Sequence, residues 1–233
     1  MSSQLLLDIL KTPKQTFKNY IVGKNSEALS AIKNISSGRA IYLWGPSGSG
    51  RTHLLKAIQH ETNGIYFNHI SKIDSIKNIL ENENNQNFSK FILIDNVHLF
   101  DKTRQSLLFT LYNKWREIAT TTNAFTITLS GNLSPMFMHV REDIRTRLGW
   151  DLIFRLEPLS DSDKYTALKT QAEERGLKNI DNVLQWMLNH YERDIRKQII
   201  VLDALDRYSL ETRKPITISL LRNMLLSQGI YLL

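Results

Sequence analysis

The sequence contains no cysteine, which excludes disulfide bonds and metal sites built on thiolates. It also contains no apolar run of the roughly 18–20 residues that a membrane-spanning helix needs, so we expect no membrane partner. No basic residue precedes the short apolar run of the amino-terminal MSSQLLLDILK, which argues against a secretory signal peptide. These absences are typical of a protein of the reducing cytoplasm.

Clusters of chemically active side chains are also scarce. His98, His139 and His190 are scattered along the chain and suggest neither a metal site nor acid–base chemistry. The formal net charge is +7, but no block of lysines and arginines resembles a DNA-binding tail. The positive charge is therefore better explained by a basic, solvated surface than by direct binding of nucleic acid.

The apolar pattern predicts two kinds of architecture in succession. Short, largely apolar segments alternate with amphipathic ones up to Pro158, which favours a parallel sheet covered by helices on both faces. The predicted strands are 40–44, 64–68, 91–95, 124–130 and 151–157, and the predicted helices are 52–60, 73–80 and 103–119. After Pro158 only helical patterns follow, at 160–176, 180–190, 193–210 and 217–227. The fold class is thus an α/β domain (13–158) followed by a small all-α domain (159–233), preceded by a short peptide (1–12).

One loop nearly matches the phosphate-binding pattern G-x-x-x-x-G-K-[ST]. GPSGSGRT follows the first predicted strand and opens a helix, as such a loop must, but Arg51 stands where the pattern has lysine. Glycines let the backbone approach phosphates, whose oxygens accept hydrogen bonds from the N–H groups at the helix start. The alternative is a glycine-rich turn without a ligand. The candidate phosphate-binding residues are Gly45, Pro46, Ser47, Gly48, Ser49, Gly50, Arg51, Thr52 and His53.

A second signal for a nucleotide site is the acidic residue that ends the third predicted strand, FILID. Asp95 there is suited to hold Mg²⁺ together with the Thr52 hydroxyl, although a strand-end turn residue is the alternative. The next residue is Asn96, a neutral amide that cannot accept a proton from water. We therefore expect binding of ADP or ATP with Mg²⁺ but poor hydrolysis.

Five segments in this order resemble the AAA+ module of the DnaA replication-initiator family. They are TFKNYIVGKNSEALSAI (16–32), LWGPSGSGRTHLL (43–55), FILIDNVH (91–98), TRLGWDLIFRLEPLSD (146–161) and RDIRKQIIVLDALDRYSLETRKPIT (193–217). Arginine in the loop and IDN in place of an acidic pair are closest to the family's short branch of regulatory inactivators. The sequence ends at Leu233, about where the helical lid of the family ends, so we expect no initiator-type DNA-binding domain.

The resemblance implies further nucleotide-binding residues. Phe17, Tyr20 and Val22, with Ile21 beside them, would line an adenine pocket, although core packing is the alternative. Asn132, preferred over Ser130, would sense the γ-phosphate, unless it only marks a turn. Arg196 in the lid would be a second sensor that reaches the phosphates, and a solvated arginine is its alternative.

The resemblance also implies an arginine finger, which is an arginine that acts on the nucleotide of a partner. Arg147, in RTRLGW, matches it best; Arg141 and Arg145 are the nearby competitors. The alternative for Arg147 is a local salt bridge with Glu142 or Asp143.

The amino-terminal QLLLDI resembles the peptide by which bacterial proteins dock on the DNA sliding clamp, and an ordinary helix start is its alternative. Gln4, Leu5, Leu7 and Ile9 would make the contacts, and Asp8 departs from the pattern. The implied partners are the DnaA initiator and the sliding clamp, with DNA contacted indirectly through the clamp, and a homo-oligomer remains open. We therefore expect a negative regulator of replication initiation. A self-sufficient ATPase or helicase loader and a DNA-binding paralogue are the rival functions.

Overall fold

The computed structural model describes residues 14–74, 77, 90–192 and 194–227. The clamp-type peptide at 4–9 and most of the helix predicted at 73–80 lie outside them. The chain divides into two compact units, with the division between Pro158 and Leu159. Among the described residues, no helix combines the length and the apolar character needed to cross a bilayer.

Five strands form the sheet of the first unit, and all five were predicted. They are β1 (Ala40–Trp44), β2 (Ile65–Phe67), β3 (Phe91–Ile94), β4 (Thr126–Gly131) and β5 (Leu152–Arg155). Their spatial order is β2-β3-β4-β1-β5, and every pairing is parallel. The loop that follows β1 therefore lies at the carboxyl edge of the sheet, beside the central strand β4, and open parallel sheets bind ligands at this edge.

The helices of this unit cover both faces of the sheet. They are α1 (Ser26–Lys33), α2 (Arg51–Thr62), α3 (Lys102–Ile118) and α4 (Glu142–Leu148). Side chains alternate along β1: Tyr42 packs into the cluster that holds α3 and α4, and its neighbours Ile41 and Leu43 pack into the cluster that holds α1 and α2. Both clusters are buried, which confirms the prediction of a two-faced parallel sheet.

The second unit consists of helices in its described part. They are α5 (Asp161–Glu174), α6 (Asp181–His190), α7 (Ile195–Thr212) and α8 (Ile218–Ser227). Ser160 caps α5 by accepting a hydrogen bond from the Asp163 N–H, and the Asp163 side chain accepts from the Ser160 N–H in return. Gly176 follows α5 with φ of +74° and ends the helix, as the sequence predicts. The helices share one apolar cluster, so this unit has its own core.

Asp151 joins the amino ends of β1 and β5. Its carboxylate accepts hydrogen bonds from the Ala40 N–H at 2.9 Å and from Nε of Arg39 at 2.7 Å, and a second guanidinium nitrogen pairs with it at 2.5 Å. Burial acts to raise the pKa of Asp151, but the hydrogen bonds from Arg39 and Ala40 outweigh it and hold the pKa below its ordinary value. This carboxylate thus stabilises the start of the central sheet while it is ionised.

We expect Asp151→Asn to lower the free energy of unfolding at pH 7 by about 1 kcal/mol, since a partly exposed charge pair is weakened by solvent. A depressed folded-state pKa contributes stability above the unfolded value of ~3.9 and loses it as the pH falls through the folded value. The difference between wild type and variant in urea unfolding should therefore shrink below about pH 4. An equal difference at pH 7 and pH 3 would contradict this account.

Candidate functional site

The glycine-rich loop adopts a backbone conformation that requires glycine at three positions. Gly48 and Gly50 have φ of +81° and +91°, and a side chain at Gly45 would collide with the Leu156 carbonyl oxygen at 2.3 Å. The Ser49 N–H donates to the Pro46 carbonyl at 3.3 Å and closes the turn. The chain then enters α2 at Arg51, so the helix N-terminus follows the loop directly. This arrangement suits an anion.

Two side chains of the loop carry buried polar atoms without partners. Oγ of Ser49 and Nη1 of Arg51 are shielded from solvent, and neither has a hydrogen-bond partner among the described residues. Burial lowers the pKa of Arg51, which Asp95 opposes, but arginine keeps its charge. An orphaned buried donor costs about 1–3 kcal/mol, so these atoms favour a ligand with acceptor oxygens. The loop thus fits a phosphate group.

The buried Asp95 carboxylate lies at the carboxyl end of β3 and is 1% exposed. One oxygen, Oδ2, accepts hydrogen bonds from the Thr52 hydroxyl and from the Tyr66 hydroxyl, each at 2.7 Å. The other, Oδ1, accepts a short hydrogen bond from Oγ of Ser130. Thr52 and Asp95 are therefore adjacent, and their oxygens are of the kind that Mg²⁺ takes as direct ligands or through water.

Asn96 follows Asp95 in the left-handed conformation, with φ of +55°. Its N–H donates to Oγ of Ser130 at 2.9 Å, which ties the end of β3 to β4. Asparagine and aspartate both tolerate this conformation better than most residues. Of the two candidate sensor residues, Ser130 is the one that contacts this network, whereas Asn132 is exposed. The sequence favoured Asn132, and its role stays a prediction.

The segment before α1 packs onto the loop and the start of α2. Tyr20 is buried, its ring lies 3.0 Å from the position of a side chain at Gly50, and it meets the His53 ring edge-on at 5.2 Å between centroids. Nε2 of His53 lies 2.9 Å from the Thr16 carbonyl oxygen. Phe17 and Val22 pack on the same apolar cluster. These contacts are core packing; an adenine pocket here stays a prediction.

Arg196 lies in the first turn of α7, and its guanidinium is paired within the second unit. Nη2 donates to Oδ2 of Asp194 at 2.6 Å, and Nε donates to Oδ1 at 3.1 Å. The hydrogen bonds that Arg196 donates to Asp194 raise the pKa of Arg196. A role as second sensor requires the guanidinium to exchange this carboxylate for a phosphate, and it stays a prediction.

Arg147 is held by uncharged groups. Its Nε and Nη2 donate to Oδ1 of Asn113 at 3.2 and 2.8 Å, and Nη1 donates to the backbone carbonyl of Asp143 at 2.9 Å. The guanidinium lies over the ring of Phe109, 3.9 Å from its centroid, and 4.8 Å from that of Trp150. Three hydrogen bonds leave two of its five N–H groups for other acceptors, as far as the described residues show.

The neighbouring arginines differ from Arg147 because they pair with carboxylates. Arg141 donates to Oδ2 of Asp143 at 2.6 Å, and Arg145 lies 3.8 Å from Oε1 of Glu142. The two carboxylates suggested as partners of Arg147 are therefore engaged by other arginines. The alternative for Arg147, a local salt bridge with Glu142 or Asp143, is not among the described contacts, and the groups that hold its guanidinium are neutral.

The loop and Arg147 lie at opposite edges of the sheet. The loop follows the carboxyl end of β1, whereas Arg147 precedes the amino end of β5, and these two strands run parallel with Ile41 beside Leu152. Arg147 is thus placed away from the loop of its own chain.

Sequence reasoning missed three contributors. Tyr66 and Asn113 carry no motif, because their roles arise from pairing between elements distant in sequence. Phe109 reads as one more apolar position of an amphipathic helix. The i, i+4 spacing of Phe109 and Asn113, which places both on one side of α3, is the signal that could have linked them.

Two family models match the chain. The model for the bacterial DnaA ATPase domain matches residues 11–155, which is more than half of the chain. The model for the lid domain of Hda matches residues 161–225. The two matches follow the division between the sheet unit and the helical unit.

Solved structures share the fold at low sequence identity. Domain III of the replication initiation protein DnaA from Thermotoga maritima is 21% identical, with a TM-score of 0.66 over 92% of this chain and 97% of that chain. AMPPCP-bound DnaA from Aquifex aeolicus is 22% identical, with a TM-score of 0.62 over 86% of this chain and 69% of that one. The RuvB Holliday junction branch migration motor of T. maritima is 17% identical, with a TM-score of 0.66 over 94% and 73%.

The structural neighbours agree with the AAA+ fold, and the first family model fixes the family. The phosphate-type loop, the buried Asp95 and the helical second unit agree with this assignment. The chain belongs to the bacterial DnaA ATPase-domain family of replication proteins, and its helical unit is similar to the lid of Hda.

Proposed function

We propose that this protein is a nucleotide-loaded regulator that switches off the DnaA initiator by promoting hydrolysis of the ATP bound to it. The observation that carries the proposal is the state of Arg147: a partly exposed guanidinium, fixed by neutral groups, at the edge of the sheet opposite its own loop. A charge held in this way is suited to act on an anion of another molecule.

The loop at 45–52 is the proposed binding site for ADP or ATP. Its N–H groups and the start of α2 offer hydrogen bonds to phosphate oxygens, and the unpartnered Nη1 of Arg51 gives the site a positive charge. Mg²⁺ that enters with ATP would be held by Thr52 and through water by Asp95, and it would neutralise phosphate charge. The guanidinium of Arg51 is planar and bulkier than the ammonium of lysine. We therefore expect Arg51 to preserve nucleotide binding but to fit the geometry of phosphoryl transfer less well than lysine would.

The protein is proposed to be a weak ATPase by itself. An efficient site needs a group that orients or activates water, and the residue after Asp95 is Asn96, whose amide cannot take a proton. Within this proposal, bound nucleotide is chiefly a structural ligand, and Arg196 in the second unit is its proposed lid contact.

Arg147 would act on the initiator by stabilising the negative charge of the transition state for ATP hydrolysis. In phosphoryl transfer, negative charge spreads over the γ-phosphate oxygens, and a guanidinium supplied in trans stabilises it. Asn113, Phe109 and Trp150 restrict the rotation of Arg147 before any partner is bound. Less conformational entropy is then lost when the guanidinium meets its phosphate.

Docking on the sliding clamp through Gln4, Leu5, Leu7 and Ile9 remains part of the proposal, on the sequence resemblance alone. The clamp would hold the regulator on DNA and raise its local concentration near an initiator. A self-sufficient ATPase or helicase loader is the rival function, and it requires fast turnover by the isolated chain.

We expect the isolated protein to hydrolyse ATP far more slowly than once per second, and Asn96→Asp to raise the rate by ~10-fold or more, because it adds a proton acceptor. Aspartate tolerates the left-handed backbone of position 96, so the fold should persist. The matched control is Asn179→Asp, the same change at a φ of +58° in the second unit, which should leave the rate unchanged. The measurement is release of phosphate. Several turnovers per second by the wild type would support the motor instead.

We expect Arg147→Ala to abolish stimulation of initiator ATP hydrolysis while ADP binding and clamp binding persist. Arginine fingers contribute ~10³–10⁵ in rate in well-studied NTPases, so the loss should approach the unstimulated rate. The matched control is Arg145→Ala on the same helix, which removes the ion pair with Glu142 and should retain stimulation. Normal stimulation by Arg147→Ala, measured as conversion of initiator-bound ATP with clamp loaded on DNA, would end the finger assignment.

A further inference from the structure

The Asp95 carboxylate has little acceptor capacity left. A carboxylate offers about four acceptor positions, and three hydroxyl groups occupy three of them: Thr52 and Tyr66 on Oδ2, and Ser130 on Oδ1. Thr52 and Ser130 belong to the loop helix and to β4, and Tyr66 belongs to β2, beside β3. The Tyr66 phenol is thus a third hydroxyl donor to Asp95, supplied by the neighbouring strand β2.

Lys56 contacts the face of the Tyr66 ring and holds the ring in this position. Nζ of Lys56 lies 3.3 Å from the ring centroid, in a cation–π contact, and also donates to Oε1 of Gln59 at 3.1 Å. A tyrosine phenol is protonated at neutral pH, so the Tyr66 hydroxyl donates to Asp95 at 2.7 Å. The contact with Asp95 is therefore a persistent feature of the site.

This contact competes with a hydrated metal ion. Mg²⁺ gives up its waters reluctantly and is usually bound at nucleotide sites through one or two carboxylates and the phosphates. Waters on such an ion must donate to acceptors, and Asp95 is the carboxylate at this position. With the Tyr66 hydroxyl in place, about one acceptor position of Asp95 remains for them.

The site also holds positive charge of its own. Arg51 and Lys56 both interact electrostatically with Asp95. Two cations close to one carboxylate leave a net positive charge beside the loop, which a diphosphate would meet without a metal.

We propose that Tyr66 makes ADP binding at this loop largely independent of Mg²⁺, because its hydroxyl takes one of the two acceptor positions of Asp95 that Thr52 and Ser130 leave for metal-bound waters. The inference rests on the proposed nucleotide binding and extends it to the role of one residue. In this account Tyr66 is a specificity-determining residue. It lets the site retain ADP without the Mg²⁺ that phosphoryl transfer needs.

The test is calorimetric titration of the full chain with ADP, once in buffer with Mg²⁺ and once in buffer with EDTA. The wild-type Kd values should agree within about threefold, since the metal finds too few acceptors. Tyr66→Phe keeps the ring and its contact with Lys56 but releases the acceptor position. Its affinity should rise with Mg²⁺ present, to give a Kd ratio of about tenfold between the two buffers, the effect of one hydrogen bond to a charged group.

The matched control is Tyr165→Phe, which removes a tyrosine hydroxyl that donates to a carboxylate, Oδ1 of Asp181 at 2.5 Å, in the second unit. The ratio of its two Kd values, in EDTA and in Mg²⁺, should equal that of the wild type. A wild-type ratio of about tenfold or more overturns the inference whether or not Tyr66→Phe folds. A ratio for Tyr66→Phe as small as the wild-type ratio overturns the role of Tyr66. Absence of ADP binding in both buffers would overturn the proposed nucleotide site, and this inference with it.

Discussion

The buried Asp95 carboxylate is the constraint on which the candidate nucleotide site depends. Three hydroxyl donors, from the loop helix, β2 and β4, converge on it, and each position is set by a different element of the sheet unit. A buried charge is stable only when such hydrogen bonds satisfy it, so the carboxylate and its donors hold one another in place. The loop, the strand ends and the left-handed turn at Asn96 are thereby fixed relative to each other before any ligand binds.

The parallel sheet separates two sites of opposite character. At its carboxyl edge, Asp95 is buried and Arg51 is half-buried beside a loop that fits phosphate. Near its amino edge, Arg147 is partly exposed and its described partners are neutral. This separation fits the proposed function, in which the protein would retain a nucleotide at one edge and act on a partner at the other. Aromatic faces at Phe109 and Trp150 fix the guanidinium without cancelling its charge, which a carboxylate would do.

Local pattern predicts the strands, the loop and the position of Asp95, because each is a short run of residues whose chemistry is visible in sequence. It predicts neither helix Ser26–Lys33 nor the donors of Asp95 beyond Thr52. Tyr66 reaches Asp95 only because β2 pairs with β3, across 29 residues of sequence, and Asn113 reaches Arg147 across 34. The contact of Ser130 with Asp95 has the same origin, because it forms only when β3 and β4 are side by side.

The central claim is that this chain, held on DNA by the clamp, switches off an ATP-loaded initiator. Its most direct test follows labelled ATP bound to DnaA, with the ADP-loaded chain and DNA-loaded clamp added separately and together. The account predicts conversion to labelled ADP when both are present, and loss of this conversion in Gln4→Ala/Leu5→Ala, whose changes lie ahead of the sheet unit. Conversion at the same rate with and without the chain would contradict the account.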